Sequence, residues 1–221
     1  MQIKGQLSFF NIIHYGIPFF KSYCYRLFFK SFFGAFGKGT ILISPRIKNP
    51  KYIFLGKNCR IEHFAWLLVI KPENGQTDIP RLVLEDEVKI GRLSEIVTLS
   101  SVTLHKGVRV ADNVFIADNT HKYANIEIPY IKQGMEKLNN VEIGEYTWVG
   151  RNVCIMGCQI GKHCVIGADA VVNKDIPDYC VVVGNPARIV KRYNPQSGQW
   201  EKTDKDGIEY SWRYNNATFA Q

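Results

Sequence analysis

The chain has 221 residues, 46% of them apolar and 22% charged, a composition that excludes a disordered polypeptide and leaves room for one substantial core or two small domains. Its formal net charge of +8 directs attention to anionic partners (nucleic acid, anionic lipid or a phosphorylated small molecule) or to a merely solvated basic surface.

Three segments follow in chain order: 1–39, 40–192 and 193–221. The first does not resemble a secretory signal, because Asn11, His14 and Tyr15 interrupt its apolar stretch and no small-residue cleavage site follows. No uncharged apolar run reaches the roughly 18 residues that span a bilayer, and a cytoplasmic chain is expected. Residues 8–36 hold twelve aromatic residues. Tyr25, Phe28, Phe29, Phe32, Phe33 and Phe36 fall at i, i+3, i+4, i+7, i+8 and i+11, which predicts a helix ending near Gly34 and Gly37. Such a helix packs on the domain body or a partner subunit. Alternatively, with Lys21, Arg26 and Lys30 among its aromatics, it lies peripherally on the inner face of a membrane.

Residues 40–192 carry a period. Leu84, Ile90, Ile96, Val102, Val108 and Val114 are six apart. Leu104, Val110 and Ile116 repeat the step two residues later, and Ile143, Val149 and Ile155, then Ile160, Ile166 and Val172, continue it after one slip of five. This step fits neither a 3.6-residue helix nor simple strand alternation. It is the signature of a hexapeptide parallel β-helix, a solenoid with about eighteen residues per coil and aliphatic side chains pointing inward. Gly56, Gly91, Gly144, Gly150, Gly161 and Gly167 are assigned to its corners.

Six Cys stand at 24, 59, 154, 158, 164 and 180 with no CxxC pair, so reduced thiols are expected. Cys154, Cys158, His163 and Cys164 have the residue types of a zinc site, but the six-residue step sends Cys158 and Cys164 to successive faces, and no metal site is assigned. The period breaks over 117–140, where a solenoid can eject a loop at a corner, and His121 stands at the base of that loop. Beyond 192 the period is lost, and 193–221 is expected to dock on the prism or on a neighbour.

The stretches NVFIADNTH, IGEYTWVGRNVCI, IGADAVVNKDIP and VVVGNPARIVKR make the chain similar to the hexapeptide-repeat acyltransferases, among them the maltose, galactoside, nodulation-type and polysaccharide O-acetyltransferases. The resemblance covers about residues 40–192. It implies an all-β, left-handed parallel β-helix assembled as a homotrimer, acetyl-CoA as donor, a carbohydrate acceptor and no nucleic-acid partner. By the same resemblance His121 is the general base, a role suited to an imidazole whose ordinary pKa is about 6.5. Asp118, or Asp112, would orient the ring. Coenzyme A would lie along the groove between adjacent prisms against Trp148, Arg151, Ala168, Asn173 and Lys174, with Arg188 or Lys191 at the nucleotide phosphates. The sequence departs from the family at Lys122, where Pro often follows the His, and at Asn119, where polysaccharide-type members often have a second His. These departures leave the acceptor open, and N-acetylation of an amino sugar is a close variant. Two other readings use the same prism: a metal-dependent hydratase of the γ-carbonic anhydrase kind using His63, His105 and His121, and a non-catalytic binding module.

Overall fold

A computed structural model describes residues 17–71 and 79–203. Three parallel sheets wrap one axis as a left-handed β-helix. The first face stacks Ala35–Phe36, Ile53–Leu55, Arg81–Leu84, Ser101–Leu104, Val141–Ile143 and Gln159–Ile160. The second runs from Ile41–Leu42 through Arg60–Ile61, Lys89–Ile90, Arg109–Val110, Trp148–Val149 and Val165–Ile166 to Cys180–Val183. The third stacks Arg46–Lys48, Trp66–Val69, Glu95–Thr98, Phe115–Ala117, Cys154–Met156 and Val171–Val172.

The six-residue step works because each face spends two to four residues on a strand and the rest on a corner. Within a strand alternate side chains point inward. Leu84, Leu104, Ile143 and Ile160 therefore lie in one inward row of the first face. Ile90, Val110, Val149 and Ile166 form the row of the second, and Ile96, Ile116, Ile155 and Val172 that of the third. All of these are buried.

The coils differ from the expected eighteen residues. Leu84 pairs with Leu104, twenty residues on, and Ile143 with Ile160, seventeen on. Both differences fall at the corner leading from the third face to the first. There Leu99 and Ser100 separate two strands, and the backbone turns at Gly157 with φ 53° between Cys154–Met156 and Gln159–Ile160. The glycine corners are crowded by the neighbouring coil: a Cβ on Gly91 would strike the Ala111 carbonyl, and one on Gly144 the Lys162 backbone nitrogen.

Two boundaries move. The helix runs only over Ile17–Phe28, a short 3-10 turn follows at Lys30–Phe32, and Ala35–Phe36 is already a strand of the first face, paired with Phe54 and Leu55. The expected helix over 8–36 is thus shorter at its C-terminal side, because pairing with a strand nineteen residues on overrides local spacing; residues 8–16 lie outside the described residues. The helix packs near Ile41–Leu42, Phe33 joins the core, and Tyr25 and Phe36 pack against it. At the other end Arg188–Asn194 crosses the expected limit at 192 and forms an antiparallel hairpin with Gln199–Lys202 that extends the second face. The tail over 193–203 docks on the prism through this hairpin, while 204–221 lie outside the described residues.

Candidate active site

The loop after Phe115–Ala117 leaves the prism as a two-stranded antiparallel arm. Asn119–His121 pairs with Met135–Lys137, placing His121 opposite Met135. Asp118 and Leu138 pin the base of the arm, the Leu138 N–H donating to the Asp118 carbonyl at 2.8 Å. His121 is exposed, and its ring meets the Tyr130 ring edge-on, centroids 5.5 Å apart. Among the described residues no side-chain hydrogen bond holds the His121 imidazole.

Asp118 does not orient that ring. Its side chain is buried, and its two oxygens accept N–H groups from Leu99, Ser100 and Ser101, each at 2.7 Å. The Asn119 amide donates to it as well, at 2.8 Å, and to the Val97 carbonyl at 3.0 Å. The expected role of Asp118 is corrected accordingly: the carboxylate fastens the widened corner of the coil below and so fixes where the arm leaves. Asp112 is equally committed, accepting from the Arg92 backbone and guanidinium, which hold its carboxyl below the usual range.

Beside the base of the arm opens a groove of about 550 Å³ lined by Lys137, Leu138, Asn139, Met156, Gly157 and Asn173. It unites the returning arm with two later coils. Asn173 is thus brought to the arm that carries His121, and Lys174, exposed, follows it in the chain. The other expected donor-binding residues lie elsewhere. Arg151 and Ala168 occupy the corner between second and third faces in successive coils, where the Asp169 N–H donates to the Arg151 carbonyl at 2.9 Å. Trp148 is exposed on the second face in a row with Lys89, Arg109, Val165, Val181 and Lys191. Arg188 begins the last hairpin and donates to the carbonyl of its neighbour Ala187. Within one chain the expected set therefore spreads over two corners and one face of the prism, and His121 is set apart on the arm.

The sequence reading did not single out Tyr130, Met156 or Leu138. Tyr130 belongs to a loop rich in exposed apolar residues, with Tyr123, Ile126, Ile128 and Ile131. That composition was available in the sequence as a signal of a covered surface.

The remaining candidate ligands are dispersed. Cys158 and Cys164 are buried, and burial pushes the Cys158 thiol up to about 12. His163 stacks between Tyr146 and Tyr179. His105 lies on the first face between Glu85 and Glu142, Nδ1 3.2 Å from one carboxylate and Nε2 3.7 Å from the other, and His63 lies beside Phe64.

No family model matches the chain. A probable acetyltransferase of Mycobacterium tuberculosis, Rv3034c, is 34% identical over 167 residues, covering 68% of this chain and 53% of that protein. The putative lipopolysaccharide biosynthesis O-acetyl transferase WbbJ of Escherichia coli is 35% identical over 128 residues, 55% of this chain and 65% of that protein. The chain spans between about half and two thirds of the length of these relatives. Among solved structures, AntD, an N-acyltransferase from Bacillus cereus in complex with dTDP and 3-hydroxybutyryl-CoA, is similar with a TM-score of 0.62 at 18% identity, over 76% of this chain and 87% of that one. At that identity the likeness carries the fold alone. The repeat, the coil and the sequence relatives together place the chain among the hexapeptide-repeat acyltransferases.

Proposed function

We propose that the chain transfers an acetyl group from acetyl-CoA to a sugar hydroxyl, on a small sugar or a polysaccharide precursor, with His121 as general base. The observation that carries this reading is the exposed arm: it carries His121, whose imidazole makes no side-chain hydrogen bond among the described residues, and its base borders a groove that reaches Asn173. The sugar-modifying name of the Escherichia coli relative supports the acceptor class. The imidazole takes the acceptor proton as its oxygen forms a bond to the thioester carbonyl carbon. The tetrahedral intermediate then collapses, the C–S bond breaks, and the proton passes to the departing sulfur, giving the ester and coenzyme A.

The spread of the donor-binding candidates over separate corners and a face supports a homotrimer whose neighbouring prism supplies the second wall of the site. The apolar side chains of the arm would rest on that prism. Coenzyme A would run along the shared groove against Trp148, Arg151, Ala168, Asn173 and Lys174, with Arg188 and Lys191 serving its phosphates.

Acetyl-CoA binding measured by calorimetry, followed by thiol release across sugar acceptors, tests the reading. His121→Ala should keep micromolar donor binding and lose about 10²–10⁴ in kcat, the range of general-base contributions. Lys174→Ala should weaken donor binding. Wild-type protein that binds no acetyl-CoA would refute the donor assignment, and activity on amino sugars alone would replace ester by amide formation.

A further inference from the structure

The charge of the chain is unevenly distributed. Its first 61 residues contain ten Lys and Arg and neither Asp nor Glu, while the remaining 160 hold eighteen cations and twenty acids. The whole basic excess therefore belongs to the first 61 residues, which include the helix and the first coils. The same end of the molecule exposes large apolar side chains. Phe20, Tyr23 and Leu27 recur at i, i+3 and i+7 on the helix Ile17–Phe28, and Phe28, Phe29 and Phe32 continue the surface into the next turn. Phe20 and Phe28 are each 67% exposed, although Phe33 and Tyr25 nearby pack on the core. Beside them an apolar hollow of about 240 Å³ is lined by Tyr25, Phe29, Phe32, Phe33, Ile47 and Pro50. Its borders carry exposed Lys30, Lys48 and Lys51, next in sequence to Phe29, Ile47 and Pro50.

We infer that this end of the prism docks on the headgroup region of an anionic bilayer. Among the described residues no helix is long and apolar enough to cross a bilayer, and Ile17–Phe28 extends about 18 Å against a hydrocarbon core of roughly 30 Å, so the described helix would lie along the surface. Aromatic side chains enter the boundary between headgroups and acyl chains, and surrounding cations meet lipid phosphates. The absence of any acid over 61 residues selects an anionic surface over a neutral one, and it argues against a second copy of the same basic patch, which would repel it. This inference is independent of the transferase reading. It would bring a sugar acceptor carried on a lipid to the enzyme already confined to the membrane plane.

Sedimentation of the full chain with phosphatidylcholine vesicles, with and without phosphatidylglycerol, tests the inference. The wild type should pellet with the anionic vesicles and stay in solution with the neutral ones. Phe28→Ser/Phe32→Ser should lower partitioning about a hundredfold, from the lost burial of two aromatic rings. Lys30→Glu/Lys51→Glu should lower it at least about tenfold. Both pairs should retain the wild-type melting temperature. Equal binding to neutral vesicles, binding to neither, or an apolar pair that binds as wild type would overturn the proposal. So would an apolar pair that changes only the particle mass by light scattering, since the patch would then be a contact between copies.

Discussion

Replacing Asp118 by Ala removes the acceptor shared by the Leu99, Ser100 and Ser101 N–H groups, each 2.7 Å from a carboxylate oxygen. A hydrogen bond to a charged group contributes about 1.5–3 kcal/mol, and a buried donor left unpaired costs about 1–3 kcal/mol. Residues 99–101 are only half-buried, so water can reach part of the vacated corner, and bonds in one cluster do not add. The loss comes to about 3 kcal/mol, or about 9 °C of melting temperature at about 2–4 °C per kcal/mol for a chain of this size. Asp118→Asn keeps one oxygen acceptor but turns an amide donor toward N–H groups, and should recover about half of the loss. Circular dichroism melts, run with thiol release well below both transitions, separate the possible roles. The expected result is a ranking by stability, with the arm loosened and kcat following it only a fewfold. An Asp118→Ala protein that melts like wild type while kcat falls about a hundredfold would refute this reasoning, because the carboxylate would then be acting on the imidazole.

Three further outcomes are expected. Gly144→Ala, whose methyl would strike the backbone nitrogen of Lys162, should lower the melting temperature although its φ is not left-handed; a variant that melts with wild type would show that the corner has slack. Burial raises the Glu95 carboxyl pKa above its ordinary 4.5, a shift that nearby Arg46 only moderates. The folded state then holds its proton to higher pH than the unfolded chain does, so stability declines as pH rises through that window and the cost persists at neutrality. Glu95→Gln should therefore melt higher than wild type at pH 7, with the difference closing near pH 4; no difference at pH 7 would remove the argument. Native protein treated with a disulfide reagent at pH 8 should react at Cys24 and Cys154, which are half-buried, and not at Cys59, Cys158, Cys164 or Cys180, whereas rapid modification of four or more thiols would contradict the packing.

The prism was legible because its signal is local and repeated. Every aliphatic residue from Leu84 to Val114 that the six-residue step selected is buried, and the five-residue slip from Ile155 to Ile160 is the tight corner at Gly157. What escaped depends on stacking between coils. The helical spacing of Phe33 and Phe36 could not reveal that Ala35–Phe36 pairs with Phe54–Leu55. The family resemblance assigns Asp118 to orienting the His121 ring, whereas its partners lie 17 to 19 residues earlier, in the coil beneath. A clue was present: Asp86, Asp175 and Asp178 also stand at coil corners, and each accepts a backbone N–H from an adjacent coil. The groove beside the arm draws Lys137, Met156 and Asn173 from three separated segments, and no single stretch of sequence announces it.

The large irregularities in coil length fall on one edge of the prism; on the other two, the step departs from six only between Leu42 and Ile47, by one residue. The connection from Val69 to Arg81, the two extra residues before Ser101, the arm between Ala117 and Val141 and the shortened turn at Gly157 each join the third face to the first. The other two edges keep nearly constant spacing, so the inward rows stay aligned whatever this edge does. The chain is built like a bound volume with an open fore-edge: leaves are lengthened or trimmed there while the spine holds. An arm of different length and composition, grafted between Asp118 and Leu138, would leave the inward rows in register without asking the core to refold.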